Sequence, residues 1–140
     1  MRLYETTPTF AIVHLVANLS GRTLISTPSN SAADHLTTYL LRGGINVIRM
    51  KAKTREMEES SIFDHTVVGK LIKNITYMTS KKRIEARTST KADRAYVDYL
   101  EMGIIRQADV VVTTCMAGAD RRLESLIFET VIVDEATRLL

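Results

Sequence analysis

Apolar positions in the first third of the chain change their period repeatedly. Phe10, Ile12, Val13, Val16 and Leu19 recur at helical spacing and predict a helix from Phe10 to Leu19, closed by Gly21 after Ser20. Arg22 to Thr27 reads as a short buried strand ended by Pro28, and Ser31 to Arg42 as a second helix stopped by Gly43 and Gly44. Ile45 to Met50 is the next strand. This alternation predicts an α/β fold, a parallel sheet with helices on its faces, in which ligands gather beyond the carboxyl ends of the strands.

The rhythm then breaks. Lys51 to Arg106 is charged, poor in aromatic residues and without a strand pattern, so the reading is one domain over 1–140 with a helical insertion at 57–106. Ile62 to Met78 is expected as one helix and Thr79 to Ser89 as a basic loop. Thr90-Lys91-Ala92-Asp93 has the spacing of a capping box opening a helix through Ile105. Asp109 to Thr114 returns to a β-branched strand, Met116 to Arg121 supplies a glycine-containing loop, and Arg121 to Ile127 a short helix. The last strand-like run, from Thr130, ends in Asp134 and Glu135.

Composition narrows the class. With 45% hydrophobic and 25% charged residues the chain is neither disordered nor low in core-forming side chains, and no apolar run approaches the roughly 20 residues of a membrane span. A net charge of +3 permits an anionic partner without demanding one. Cys115, the single cysteine, excludes a disulfide framework and reads as a small buried hydrophobe. The first residues lack a secretion-signal pattern, so the expected location is cytoplasmic. His14, His35 and His65 have no metal-ligand spacing, and Tyr96 with Tyr99 fits a helix face better than a base-stacking motif.

Three spots carry candidate chemistry. Asp134 and Glu135 follow a short apolar run, as in a Walker B element, where the first acid can hold Mg²⁺ through water and the second can orient and deprotonate a water attacking a γ-phosphate; taken alone, such a run is more often a strand ending in a solvated loop. Pro28, Ser29 and Asn30 precede a helix whose first N–H groups lack intrahelical partners, a suitable cradle for a phosphate; taken alone, Ser29 or Asn30 reads more readily as the cap of that helix. Lys51, Lys53 and Arg55 either extend a groove that follows a nucleic-acid backbone or form a solvated basic face.

Three blocks in order resemble the first RecA-like domain of the superfamily 1 RNA helicases related to the nonsense-mediated-decay helicase and to Armitage. Thr27-Pro28-Ser29-Asn30-Ser31-Ala32-Ala33-Asp34 is similar to the family's A-P-S-N-x-A-x-D block, with Thr27 in place of alanine. Ala108 to Asp120 resembles the segment leading to a threonine that faces nucleic acid, here Thr114, and Asp134-Glu135-Ala136-Thr137 resembles the acidic motif of the ATP site. Arg49 and the run Lys51 to Glu56 look like the family's link into its helical insertion. The resemblance implies single-stranded RNA held through its backbone by Pro28, Ser29, Asn30 and Thr114, and ATP with Mg²⁺ at Asp134, Glu135 and Thr9.

Departures from the family are equally informative. Thr7-Pro8-Thr9 stands where Gly-Lys-Thr is expected, and proline has neither an amide donor nor a charge. Only Thr9 retains a hydroxyl of the magnesium-liganding kind. No G-x-x-x-x-G-K-[ST] loop occurs, no G-D-x-x-Q motif follows Asp134, and no second RecA-like domain is present in these 140 residues. The expectation is therefore a partial P-loop NTPase domain with unpaired sheet edges, inactive alone. It belongs to an ATP-dependent RNA helicase as a fragment, or is a non-catalytic remnant that binds RNA or a protein.

Overall fold

A computed structural model describes residues 2–5, 9–114 and 120–134. Five parallel strands, β1 (Arg2–Glu5), β2 (Thr23–Thr27), β3 (Val47–Arg49), β4 (Val110–Thr114) and β5 (Thr130–Val133), form one sheet in the order β1-β5-β2-β4-β3. The strands are short and β-branched, and β4 is buried along its whole length, as expected of a sheet covered on both faces. Ile25 and Val112 are wholly buried, each contributing roughly 1.5–3 kcal/mol of apolar burial.

Side-chain alternation divides the core. On one face, Ile25, Val47, Val110, Val112 and Ile132 pack with α1 (Thr9–Ala17) and α2 (Asn30–Arg42). On the other, Ile48, Met50 and Val111 share a cluster with α3 (Val67–Leu71), α4 (Ile75–Glu85), α5 (Lys91–Gln107) and α6 (Arg121–Glu124). The helices between β3 and β4 thus pack directly on the sheet through Tyr77, Val97 and Ile105. The parallel α/β expectation is met.

Local rules account for most boundaries. Ser29 caps α2, its hydroxyl accepting from Ala32 N–H, and Gly44 at φ +76° ends it in the left-handed region open to glycine. At α5 the capping box forms as expected: Thr90 Oγ1 accepts from Asp93 N–H while the Asp93 carboxylate accepts from Thr90 N–H.

Three expectations are corrected. The single helix over Ile62–Met78 is instead a 3-10 turn at Phe63–His65, the short α3, and the start of α4. The break falls before Ile75 because Asn74 turns its side chain onto Tyr77 N–H and starts a new helix. The supposed basic loop Thr79–Ser89 is helical to Glu85, since Tyr77 and Ser80 are buried and tie α4 to the core. Of the unpaired sheet edges expected, the one beside β5 is instead covered by a strand ahead of the first helix, β1, paired from Arg2–Thr130 to Glu5–Val133.

Candidate nucleic-acid and nucleotide rim

The carboxyl ends of the strands form one rim. Thr27 and Thr114 are register partners at the ends of β2 and β4, and Ser26 lies opposite Val133 of β5. Asp134 N–H donates to Ser26 O at 2.8 Å, extending that ladder one residue past the strand. The other flank of β5 is β1, whose Glu5 faces Val133, so the start of α1 belongs topologically to the same rim.

The turn after β2 is built from within. Thr27, fully buried, donates its hydroxyl to Ser29 O at 3.0 Å, and Ser29 holds an extended backbone (φ −138°, ψ 156°) suited to an N-cap. Pro28 and Ser29 are exposed, and Asn30 is half-buried. Both roles of Ser29 therefore coexist: its oxygen serves the helix, and its hydroxyl proton remains available to a ligand.

Behind this turn stands Arg49, a charged residue in the buried strand β3 with 0% exposure. Its Nε donates to Asp34 Oδ1 at 2.9 Å and its Nη2 to Asn30 Oδ1 at 3.0 Å; Nη1 donates to the carbonyl of Met50. Burial pulls the guanidinium below its ordinary value, opposed by Asp34; an arginine nonetheless keeps its charge. In the sequence both Asp34 and Arg49 fall within family-like blocks, with no partner evident for either. The signal available was a lone charge between Ile48 and Met50 in an otherwise apolar strand.

The remaining residues fall out differently. Thr114 ends β4 with 7% exposure. Lys51 is equally covered and lines a cavity of about 10 Å³ with Glu56, Thr66 and Arg122, room for about one water. That corrects both expectations for Lys51, the groove and the solvated face. Lys53 and Arg55 are exposed, and Arg55 pairs loosely with Glu58 at 3.5 Å. Thr9 opens α1, and its side chain lies outside the described residues, as do Thr7, Pro8, Cys115, the loop from Met116, and Glu135.

The fit of ATP with Mg²⁺ is incomplete. Asp134, half-buried just beyond β5, is an oxygen donor of the kind magnesium prefers, usually through water. Among the described residues no group of three or more histidine, cysteine or acidic side chains could hold a metal. The sequence Thr7-Pro8-Thr9 supplies no lysine or glycine nest for a triphosphate. No helix among the described residues is long and apolar enough to cross a membrane.

A family model described as an AAA domain matches residues 77–140. The chain is 35% identical over 134 residues to the ATP-dependent helicase NAM7 of Saccharomyces cerevisiae, covering 91% of this chain and 14% of that protein. It is 34% identical over 142 residues to the regulator of nonsense transcripts 1 of Dictyostelium discoideum, 92% of this chain and 11% of that one. Against the ATP-dependent helicase upf1 of Schizosaccharomyces pombe it is 29% identical over 150 residues, 96% and 16%. The chain thus spans well under a fifth of the length of these relatives.

Proposed function

We infer the role from the family: the chain belongs to the superfamily 1 helicases related to the nonsense-mediated-decay helicase, and the carboxyl-end rim of its sheet holds the backbone of single-stranded RNA. The observation that carries this reading is the exposed turn Pro28-Ser29 at the start of α2, with Asn30 and the end of β4 at Thr114 beside it on the rim. A helix start gives unpaired N–H groups and a positive dipole end, and the Ser29 hydroxyl and Asn30 amide add donors. Donors of this kind hold phosphates and read no base.

Asp134, Glu135 and Thr9 are the residues of an ATP–Mg²⁺ site in this reading. Bound magnesium supplies charge neutralisation on the terminal phosphates. Asp134 would hold the ion through water, Thr9 would offer it a hydroxyl, and Glu135 would serve as the base. Because Pro8 occupies the place of the phosphate-binding lysine, we derive no hydrolysis step from these residues. That substitution favours a second reading, a non-catalytic RNA- or protein-binding remnant, and the helical insertion at 57–106 is part of either. Cytoplasmic location follows the family in both.

The test is fluorescence anisotropy of a labelled single-stranded oligouridylate titrated with the 140-residue chain across a salt series, with and without Mg–ATP. Binding that weakens linearly in log salt supports the rim. Absence of RNA binding overturns it, and Mg–ATP binding lost in Asp134→Ala favours the first reading over the second.

A further inference from the structure

We propose that Arg49 is a positioning residue that fixes the Asn30 amide with its oxygen inward and its NH₂ toward the rim, making Asn30 a donor-only contact for a phosphate oxygen. This deepens, and rests on, the nucleic-acid reading of the same rim.

A guanidinium buried in β3 needs its donors occupied, or the cost of desolvation is unmet. Asp34 already neutralises the charge and takes Nε at 2.9 Å, while Nη2 goes to the single acceptor atom of a carboxamide, Asn30 Oδ1, at 3.0 Å. The reversed amide would set NH₂ against the guanidinium, donor against donor. Asn30 is therefore held in one orientation, and among the described residues its Nδ2 makes no hydrogen bond.

The consequence is chemical. Asn30 is the first residue of α2, directly after the exposed Pro28 and Ser29, whose own oxygen is taken by Ala32 N–H. What this turn offers outward is the Asn30 NH₂ and the hydroxyl proton of Ser29. The complement of a donor face is an acceptor-only group such as a non-bridging phosphate oxygen. A freely rotating asparagine would offer either end, and would lose rotamer entropy on contact.

The competing account is that Asn30 does nothing beyond satisfying Arg49. Asn30→Asp separates the two, because it keeps an oxygen for Arg49 and removes the NH₂. Asn30→Ala removes the amide without adding charge, and Arg49→Lys keeps the charge but loses the fork. Each 140-residue variant is titrated with labelled oligouridylate across a salt series and melted alongside the parent.

We expect Asn30→Asp to melt at or above the parent temperature yet bind RNA at least about tenfold more weakly, the scale of one hydrogen bond to a charged group. Asn30→Ala shows a similar loss. Arg49→Lys also weakens binding about tenfold with the parent's salt slope, since the contact it misplaces is uncharged. Parent-like RNA affinity in Asn30→Asp overturns the inference alone, as does a salt slope smaller by about one in Arg49→Lys, which would make Arg49 itself a phosphate contact. If the parent binds no RNA, the nucleic-acid reading falls and takes this inference with it. If Arg49→Lys does not fold, the Asn30 variants decide.

Discussion

Tyr77 donates its hydroxyl to Glu101 Oε2 at 2.6 Å, joining α4 to α5 at the centre of a buried charge network. Lys81 reaches the same oxygen at 2.7 Å and Glu56 at 2.8 Å. Arg122 spans Glu101 at 2.9 Å, Glu56 at 3.3 Å and Asp120 at 2.6 Å. Burial alone would push Glu101 up, but Lys81, the Tyr77 hydroxyl and Arg122 together hold it below the usual carboxylate range. For Arg122 burial works the other way and is outweighed by Asp120, Glu101 and Glu56, which hold the guanidinium above its ordinary value. The segment after β3, the helices α4 and α5, and α6 after β4 are fastened at this one point.

Removing one partner of such a network should be far costlier than its surface equivalent. Arg122→Met leaves Glu56 and Glu101 with Lys81 as their remaining ion-pair partner and removes the ion pair of Asp120, and about 3–5 kcal/mol of stability should be lost. Tyr77→Phe, which removes one hydrogen bond to a charged group, should lose about 1.5–3 kcal/mol. Urea unfolding of both variants measures this, and a loss below about 1 kcal/mol in Arg122→Met would show the network to be solvated.

Stability should fall in acid. Hydrogen bonds from Arg83, then from Thr90 N–H, hold the Asp93 carboxylate below its ordinary range, and Glu101 is lowered as described above. A carboxylate whose folded value lies below its unfolded one, about 3.9 for Asp and 4.3 for Glu, contributes stability above that unfolded value and loses it as pH falls through the folded value. The urea midpoint should therefore be flat from about pH 6 to 8 and decline from about pH 5 downward. Asp93→Asn should show a shallower decline; a slope equal to the parent's would assign the acid response elsewhere.

Two glycines should respond to alanine with opposite signs. A Cβ at Gly69 would lie 1.7 Å from Phe63 O, in the turn where Gly69 N–H donates to Thr66 Oγ1. Backbone must move there, so Gly69→Ala should cost about 2–3 kcal/mol. Gly103, within α5, has open space where a Cβ would stand, with nothing within 4 Å, and Gly103→Ala should gain about 0.5–1 kcal/mol from helix propensity. Thermal melts of the pair check the sign directly.

What the sequence revealed followed local rules. The switch from helical spacing in Ile12–Val16 to the β-branched runs of β2 and β4, the Thr90–Asp93 box and the glycines after Arg42 each act within a few residues, so each was legible. The break at Asn74 was not, because an asparagine inside an apolar helical pattern carries no periodicity signal until its side chain turns onto Tyr77 N–H. Nor was the burial of Lys51 or the pairing of Lys81 with Glu56 and Glu101, which depends on bringing β3, α4 and α5 together across 20 or more residues. At the rim, the strand-end positions of Ser29, Asn30, Thr114 and Asp134 followed from strand ends, whereas the Arg49 fork behind them needed the fold.

Thr114 offers the sharpest separation of a structural threonine from a binding one. It ends β4 opposite Thr27, 7% exposed, where a β-branched residue suits the strand whatever else it does. Thr114→Val keeps that shape and removes only the hydroxyl, so stability should change by at most about 1.5 kcal/mol. If the hydroxyl meets a backbone phosphate, oligouridylate affinity should fall about five- to tenfold with the salt slope unchanged, because no charge has been removed. Lys53→Ala provides the contrast: this exposed cation, if it meets a phosphate, should lower the salt slope by about one. Parent affinity in Thr114→Val would reduce Thr114 to the end of a strand and leave the turn at Ser29 and Asn30 as the rim's RNA contact.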